Sequence, residues 1–278
     1  MAINDIALTS AMRSNLLSLQ STVDLMNRTQ MRLSTGKKVN TPMDNPLNYF
    51  MAKSLSDRAS DISLAKDSMG EGIQALKAAD IGVKTINALI GAAKGIATSA
   101  LSASSADIAS LKTQYNDILT QINNASDDSF YKGVNLLSSA TNTLSVNLGD
   151  GSTLSVSGFL GTAAGLSISQ AIATTGIDWA IGGLSSTSIT ASIAQLDTAV
   201  STLRTQAQNI SSNSNIVTIR QDFANNMIST LTQGADNLTL ADMNEEGANM
   251  LMLQTRQALG ISALSLSAQA AQSVLKLF

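Results

Sequence analysis

The chain contains no cysteine and no histidine in its 278 residues. Without cysteine, a disulfide framework and thiolate chemistry are excluded. Without histidine, an imidazole metal site and a histidine general base are excluded as well. Aromatic residues make up only 3% of the sequence. The core must therefore be built from aliphatic side chains and methionine, which pack well between helices.

Charged residues are scarce too, at 13%, against 44% hydrophobic residues and a mean hydropathy of +0.14. The net charge is −3, and no lysine or arginine lies between Gly133 and Leu203. The chain therefore lacks the basic surface by which proteins bind nucleic acid, and we predict no nucleic-acid partner. An apolar composition with so few charges indicates that much of the surface becomes buried by assembly.

Neither end of the chain has the pattern of a targeting or membrane segment. Asp5 stands where a secretory signal needs a basic region, so the ordinary secretion rules predict a cytoplasmic protein. Residues 257–275 carry no charge and are long enough for a membrane helix. Seven of these 19 residues are Ser or Gln, however, which cost free energy in hydrocarbon unless they are paired. We predict a helix buried between other helices and no membrane span.

Both ends of the chain are predicted to form long helices. Residues 4–34 place apolar side chains at alternating steps of three and four, as in a coiled-coil seam. From about residue 241 onward the sequence is apolar on two helical faces, which indicates burial in something larger than a two-helix pair. The candidate contact residues are Thr9, Met12, Leu16, Leu19, Val23, Met26, Gln30 and Leu33 in the first helix, and Met250, Met252, Leu259, Ile261, Leu264, Leu266, Val274, Leu275 and Leu277 in the last.

The middle of the chain combines helices with a less regular part. Helices are predicted at about 46–101, 107–125 and 189–233, with a possible break at 211–215, and the glycines at 70, 72, 82, 91 and 95 are expected to mark close packing. Residues 143–157 alternate apolar and polar side chains around Gly149-Asp150-Gly151, which predicts a β-hairpin. The remaining segment is predicted to be a small loop-rich or β-containing insertion, with Trp179 as its packing anchor.

Pairs of adjacent charges offer no convincing chemistry. The two carboxylate pairs, at 127–128 and 245–246, would have to converge on one pocket to act as acid and base, but neighbours on a helix point apart. Capping and surface charge is therefore the expected role of both pairs. The basic pair at 37–38 is expected to be a solvated helix end rather than a phosphate site. We predict a protein that is not an enzyme, with no catalytic, cofactor or metal site.

Four motifs, in the same order along the chain, resemble the bacterial flagellins. They are MRLSTGKKVNTPMDNP (residues 31–46), DSFYKGVNLLS (128–138), NLTLADMNEE (237–246) and QAAQSVLKLF (269–278). The resemblance covers about residues 1–138 and 189–278. It implies a structural subunit that assembles with copies of itself into an open helical homopolymer, the filament used for swimming motility.

The resemblance also implies how the chain leaves the cell. Flagellins pass unfolded through the flagellar type III export apparatus, which suits a chain without cysteine and replaces the cytoplasmic prediction with an extracellular filament. Its implied partners besides itself are an export chaperone, the filament cap and the junction proteins.

The predicted fold class is mainly α, a long-helix coiled-coil bundle formed by both termini, with a β-hairpin and a small central insertion. Residues 1–42 and 236–278 would form the inner filament core. Residues 43–137 and 190–235 would form a helical outer core with the hairpin at about 143–157, and 158–189 a small surface insertion. The apolar contact residues of the two terminal helices would then be the polymerisation surface.

Other functions fit the same features less well. A hook–filament junction protein would share this architecture and remains the alternative. A cytoplasmic coiled-coil adaptor would leave the second apolar face of the last helix unexplained. For the seam residues of the first helix, from Met12 to Leu33, the alternative is an intramolecular coiled coil with no assembly role, which the flagellin resemblance makes less favoured.

Overall fold

The computed structural model describes residues 10–171, 178–179 and 185–275. Most of them are helical, which confirms the predicted fold class. The helices are α1 (Ser10–Thr35), α2 (Pro46–Ala100), α3 (Ser105–Asp128), α4 (Ser185–Thr239) and α5 (Met243–Leu275). Two small antiparallel sheets pair β1 (Phe130–Tyr131) with β2 (Val134–Asn135) and β3 (Thr143–Gly149) with β4 (Ser152–Ser157).

The chain divides into two compact units. The terminal unit comprises Met1–Arg58 and Thr230–Phe278, and the central unit comprises Ala59–Ser229. Helices α2 and α4 contribute residues to both units. The terminal unit includes the first turns of α2 and the last turns of α4. The division into an inner filament core of residues 1–42 and 236–278 and an outer core stays a prediction.

Local signals explain where the helices begin and end. Gly36 follows α1 with a φ of 70°, and its N–H donates to the Arg32 carbonyl at 2.8 Å, which closes the helix. Before α2 the Asn45 side chain accepts a hydrogen bond from the Asn48 N–H, as expected of an N-cap residue ahead of Pro46. These ends set the length of the connection between the first two helices.

The possible break at 211–215 is wrong, because α4 runs through it without interruption. Ile210 and Val217 flank the polar run, lie seven residues apart and are both buried. Residues at this spacing share one face of a helix, so packing of that face outweighs the weak helix propensity of the serines and asparagines between them.

The core of the central unit is built around Tyr115 and Trp179, whose tilted rings lie 4.8 Å apart. Trp179 is buried and its indole N–H donates to the Ser192 hydroxyl at 3.0 Å, which confirms its role as a packing anchor. Burial raises the pKa of Tyr115 to about 12, because the phenolate would lose its hydration. Lys112 forms an ion pair with Asp178 at 2.9 Å, beside the tryptophan.

The segment after the hairpin belongs partly to this core. It was expected to be a surface insertion, yet Ala163, Leu166 and Ile168 are buried. Polar side chains of the helices also bind its backbone. Asn116 exchanges two hydrogen bonds with the main chain of Ala171, and the Asn123 side chain accepts one from the Ala163 N–H. Residues 158–171 form no strand, so the stretch packs as an ordered loop.

The predicted hairpin is confirmed as β3–β4. Val146 pairs with Leu154, and the register shifts by one residue between Asn147 and Gly149. All three residues of the turn, 149–151, have positive φ, which glycine adopts without strain and aspartate tolerates. The hairpin packs against α2 at Gly72, where a Cβ would lie 2.6 Å from Val146 Cγ2.

Glycines in α2 differ in the space around them. At Gly82 a Cβ would collide with the Ser129 side chain and would lie 2.8 Å from Leu137 Cδ2, whereas at Gly91 it would meet nothing within 4 Å. Gly72 and Gly82 therefore mark close packing, as predicted. Gly91 and Gly95 do not, because the space beside each of them is open.

The different space around these glycines predicts that a glycine-to-alanine substitution has opposite effects on stability at two positions of α2. Gly82→Ala should destabilise the central unit, because overpacking costs about 1–3 kcal/mol and exceeds the gain in helix propensity. Gly91→Ala should stabilise it by up to about 1 kcal/mol. Urea unfolding of dilute monomer, followed by the fluorescence of the single tryptophan, measures both. Equal shifts of the two midpoints would contradict the packing assigned to Gly82.

Candidate functional site

Helices α1 and α5 pack along each other in the terminal unit. On α1 the buried side chains include Met12, Thr22 and Thr29, and the Thr22 hydroxyl donates to the Ser18 carbonyl at 2.8 Å. On α5 Leu253 is buried, and a Cβ at Gly260 would lie 2.9 Å from Leu19 Cδ1. The close approach of the two helices therefore uses threonine and glycine together with apolar side chains.

Backbone hydrogen bonds join the C-terminal end of α1 to the N-terminal end of α5. The connection after α1 forms an antiparallel bridge with the connection before α5, at Lys37 and Leu240. The Lys38 N–H donates to the Thr239 carbonyl at 2.7 Å, and the Ala241 N–H donates to the Gly36 carbonyl at 3.0 Å. These bonds hold the last turn of α1 beside the first turn of α5.

A buried ion pair strengthens the same junction. Arg32 Nη1 lies 2.8 Å from Glu246 Oε1, and Glu246 is only 6% exposed. Glu246 lies in the first turn of α5, where Asp242 caps the helix by accepting the Asn244 N–H at 2.8 Å. The expectation that both glutamates of the 245–246 pair are surface charges is thus wrong for Glu246, because Arg32 compensates its burial. Glu245 is exposed.

Apolar side chains are distributed very differently in the two units. Among the described residues the central unit has thirty-four buried hydrophobic residues and eight large exposed ones, whereas the terminal unit has six buried and fifteen exposed. The six are Met12, Val39, Ala52, Leu231, Ala235 and Leu253. The fifteen are Leu16, Leu17, Leu25, Met31, Met43, Leu47, Phe50, Met51, Leu240, Met243, Leu251, Met252, Leu259, Ile261 and Leu266. The terminal unit therefore has more exposed large hydrophobic residues than buried hydrophobic ones.

Three of the exposed residues form a regular stripe on α5. Met252, Leu259 and Leu266 are spaced by seven residues and are 52%, 65% and 64% exposed. At 100° per residue they lie roughly 100–140° around the helix from Leu253, which faces α1. We call these three residues the outer stripe. Exposed large apolar side chains that repeat along one line of a helix mark a candidate interaction site.

The structure separates the predicted contact residues into two groups. Met12 is buried, and Leu19, Val23, Met26, Leu33, Met250 and Leu264 are half-buried, whereas Leu16, Leu259, Ile261 and Leu266 are exposed. Leu277 and the side chains of Val274 and Leu275 lie outside the described residues, as does Thr9. Thr22 and Thr29 were missed, because a search for apolar residues passes over threonines that occupy the contact positions.

The described residues contain no helix with the length and apolarity to cross a membrane. Within the same ranges no group of three or more Asp, Glu, His or Cys side chains could hold a metal ion.

The buried ion pair yields a prediction about the terminal unit. Arg32→Ala should destabilise it by on the order of 2 kcal/mol, since the substitution leaves the Glu246 carboxylate buried without its partner. The figure is below the roughly 3–5 kcal/mol of a fully buried pair, because Arg32 is itself about one-third exposed. Arg28→Ala, at an exposed position of the same helix, should change stability by less than about 0.5 kcal/mol. Urea unfolding followed by circular dichroism measures both, and similar losses would refute the role of the ion pair.

Comparison with known proteins agrees with this architecture. The family model of the bacterial flagellin N-terminal helical region matches residues 3–142. Flagellin FljO of Caulobacter vibrioides is 29% identical in an alignment of 289 positions that covers all of both chains. A flagellin of Brucella melitensis is 26% identical over 267 residues, 95% of each chain.

A solved structure shows the same fold. The putative flagellar hook-associated protein from Vibrio parahaemolyticus superposes with a TM-score of 0.59, covering 71% of this chain and 100% of that one, at 11% sequence identity. At that identity the likeness concerns the fold alone. Since the family model spans half of the sequence and the flagellins match along its whole length, the chain belongs to the bacterial flagellin family.

Proposed function

We propose that this chain is the structural subunit of a helical flagellar filament, and that copies pack together through the terminal unit. The observation that carries the proposal is the excess of exposed over buried apolar side chains in that unit. Burying a leucine side chain stabilises by about 1.5–3 kcal/mol. Neighbouring copies can supply this burial, whereas the two helices of one chain cannot.

The chemistry of α5 suits the inside of such a polymer. Between Gln257 and Leu275 the helix has no charge, and interface cores are depleted in charged residues. Its serines and glutamines are uncharged groups that can form hydrogen bonds between helices. A contact that joins two different surfaces of neighbouring copies does not close on itself, so it extends into an open helical polymer.

The finer parts of this function are also proposals. We expect export through the flagellar apparatus and an extracellular place in the filament, with an export chaperone, the filament cap and junction proteins as partners. The absence of cysteine supports passage of an unfolded, unlinked chain.

In cells with a blocked export apparatus the chain should accumulate inside. Its appearance in the medium there would contradict this route.

A junction protein differs from a filament subunit in the length of the polymer it forms. The likeness to a hook-associated protein supports a shared fold and carries no argument about function. Purified chain added to filament seeds should therefore give long filaments. Growth that stops after a short layer would favour the junction protein.

The outer stripe gives a direct mutational test. Leu259→Gln together with Leu266→Gln should raise the critical concentration for elongation at least tenfold, since each leucine loses about 1.5–3 kcal/mol of burial and roughly 1.4 kcal/mol corresponds to a factor of ten. Both residues are exposed in the single chain, so the helicity of the monomer should not change. Sedimentation of polymer at equilibrium measures the critical concentration.

The control is Leu160→Gln, which replaces an exposed leucine in the central unit. It should leave the critical concentration within about twofold of the original chain. If the stripe variant elongated as readily as this control, the outer stripe would not be part of the assembly contact.

A further inference from the structure

Methionines are concentrated in the terminal unit. Nine of the 11 methionines of the sequence lie in its residue ranges, and Met31, Met43, Met51, Met243 and Met252 are exposed. In the central unit Met69 is fully buried and Met227 is half-buried. Among the described residues, the methionines that count as exposed therefore all lie on the unit that we propose assembles.

Met43 is the most accessible of them, with 95% of its surface exposed. It lies at the tip of a turn, where the Asp44 N–H donates to the Thr41 carbonyl at 3.1 Å. Asp44 Oδ2 accepts the N–H groups of Asn40 and Thr41 at 3.0 and 2.9 Å, and also the Thr41 hydroxyl. These hydrogen bonds, that of the Thr41 N–H first, lower the pKa of Asp44, because they favour the charged carboxylate. The turn thus holds the thioether out in water.

We propose that Met43 is the first site of methionine oxidation in the unassembled chain, and that its sulfoxide slows filament growth. The oxidant is a peroxide. The sulfur lone pair attacks one peroxide oxygen and the O–O bond breaks. The proton of the attacked oxygen passes to the departing hydroxide, which leaves as water. The sulfur loses two electrons and the peroxide gains them, so that a thioether and hydrogen peroxide give a sulfoxide and water. Sulfoxide reductases reverse the change.

The effect on growth rests on the proposed function, because it requires the terminal unit to be buried by neighbouring copies. A thioether is a flexible apolar group, whereas its sulfoxide is polar and costs free energy when it is buried without a hydrogen bond. Oxidation before assembly should therefore weaken the contact. After assembly the same methionines should be shielded from the oxidant, so the chain would be sensitive only before it is incorporated.

The site is tested on the monomer alone. Dilute chain is exposed to limiting hydrogen peroxide, and sulfoxide at each methionine is quantified by peptide mass spectrometry. Met43 should react first, ahead of Met31, which is 57% exposed, and on the order of tenfold faster than buried Met12 and Met69. Equal rates at all methionines, or faster reaction at a buried one, would overturn the assignment.

The consequence is tested by seeded elongation. Partly oxidised chain should have a critical concentration on the order of fivefold above that of its own untreated sample. Treatment with a methionine sulfoxide reductase should restore it. Met43→Leu should remove most of this difference between treated and untreated samples, whereas the matched variant Met227→Leu in the central unit should leave the difference unchanged.

The experiments distinguish a failure of the proposed function from a failure of the inference about oxidation. If untreated chain did not elongate seeds at all, the proposed function would be wrong, while the order of oxidation would still decide the modification site. If untreated chain elongated and oxidation at Met43 had no effect on growth, the inference about oxidation would be wrong and the proposed function would stand.

Discussion

Two packed helices bury only one face of each other, but α5 has apolar side chains on more than one face. Leu253 and Gly260 face α1, while the outer stripe of Met252, Leu259 and Leu266 lies well around the helix from them. No rearrangement of two helices can bury both sets at once. Under the proposed function, helices of neighbouring chains in the polymer would cover the outer stripe.

The two units differ in how many of their hydrophobic residues are buried within one chain. The central unit buries thirty-four hydrophobic residues within one chain, among them Tyr115 and Trp179, and exposes eight large ones. In the terminal unit the backbone bridge at Lys37 and Leu240 and the buried Arg32–Glu246 pair join the bases of α1 and α5. Directional contacts thus hold the helices together where apolar burial within one chain is insufficient.

Much of the fold follows from local sequence signals, and much of the contact surface does not. Helix periodicity and the Gly-Asp-Gly turn predicted the helices and the β3–β4 hairpin, because these depend on residues close in sequence. The burial of Glu246 could not be predicted, because it depends on Arg32, which lies 214 residues away in the sequence. A polar residue gives no sign of its burial until the group that satisfies it is known.

The central claim is that the last helix supplies contacts that drive polymerisation. The most direct measurement is electron microscopy of purified chain added to filament seeds, beside a version that ends at Ala258 and so lacks Leu259 and Leu266. Long filaments from the full chain and none from the truncated one are the predicted result. Filaments of equal length from both, or soluble monomer from both, would contradict the account.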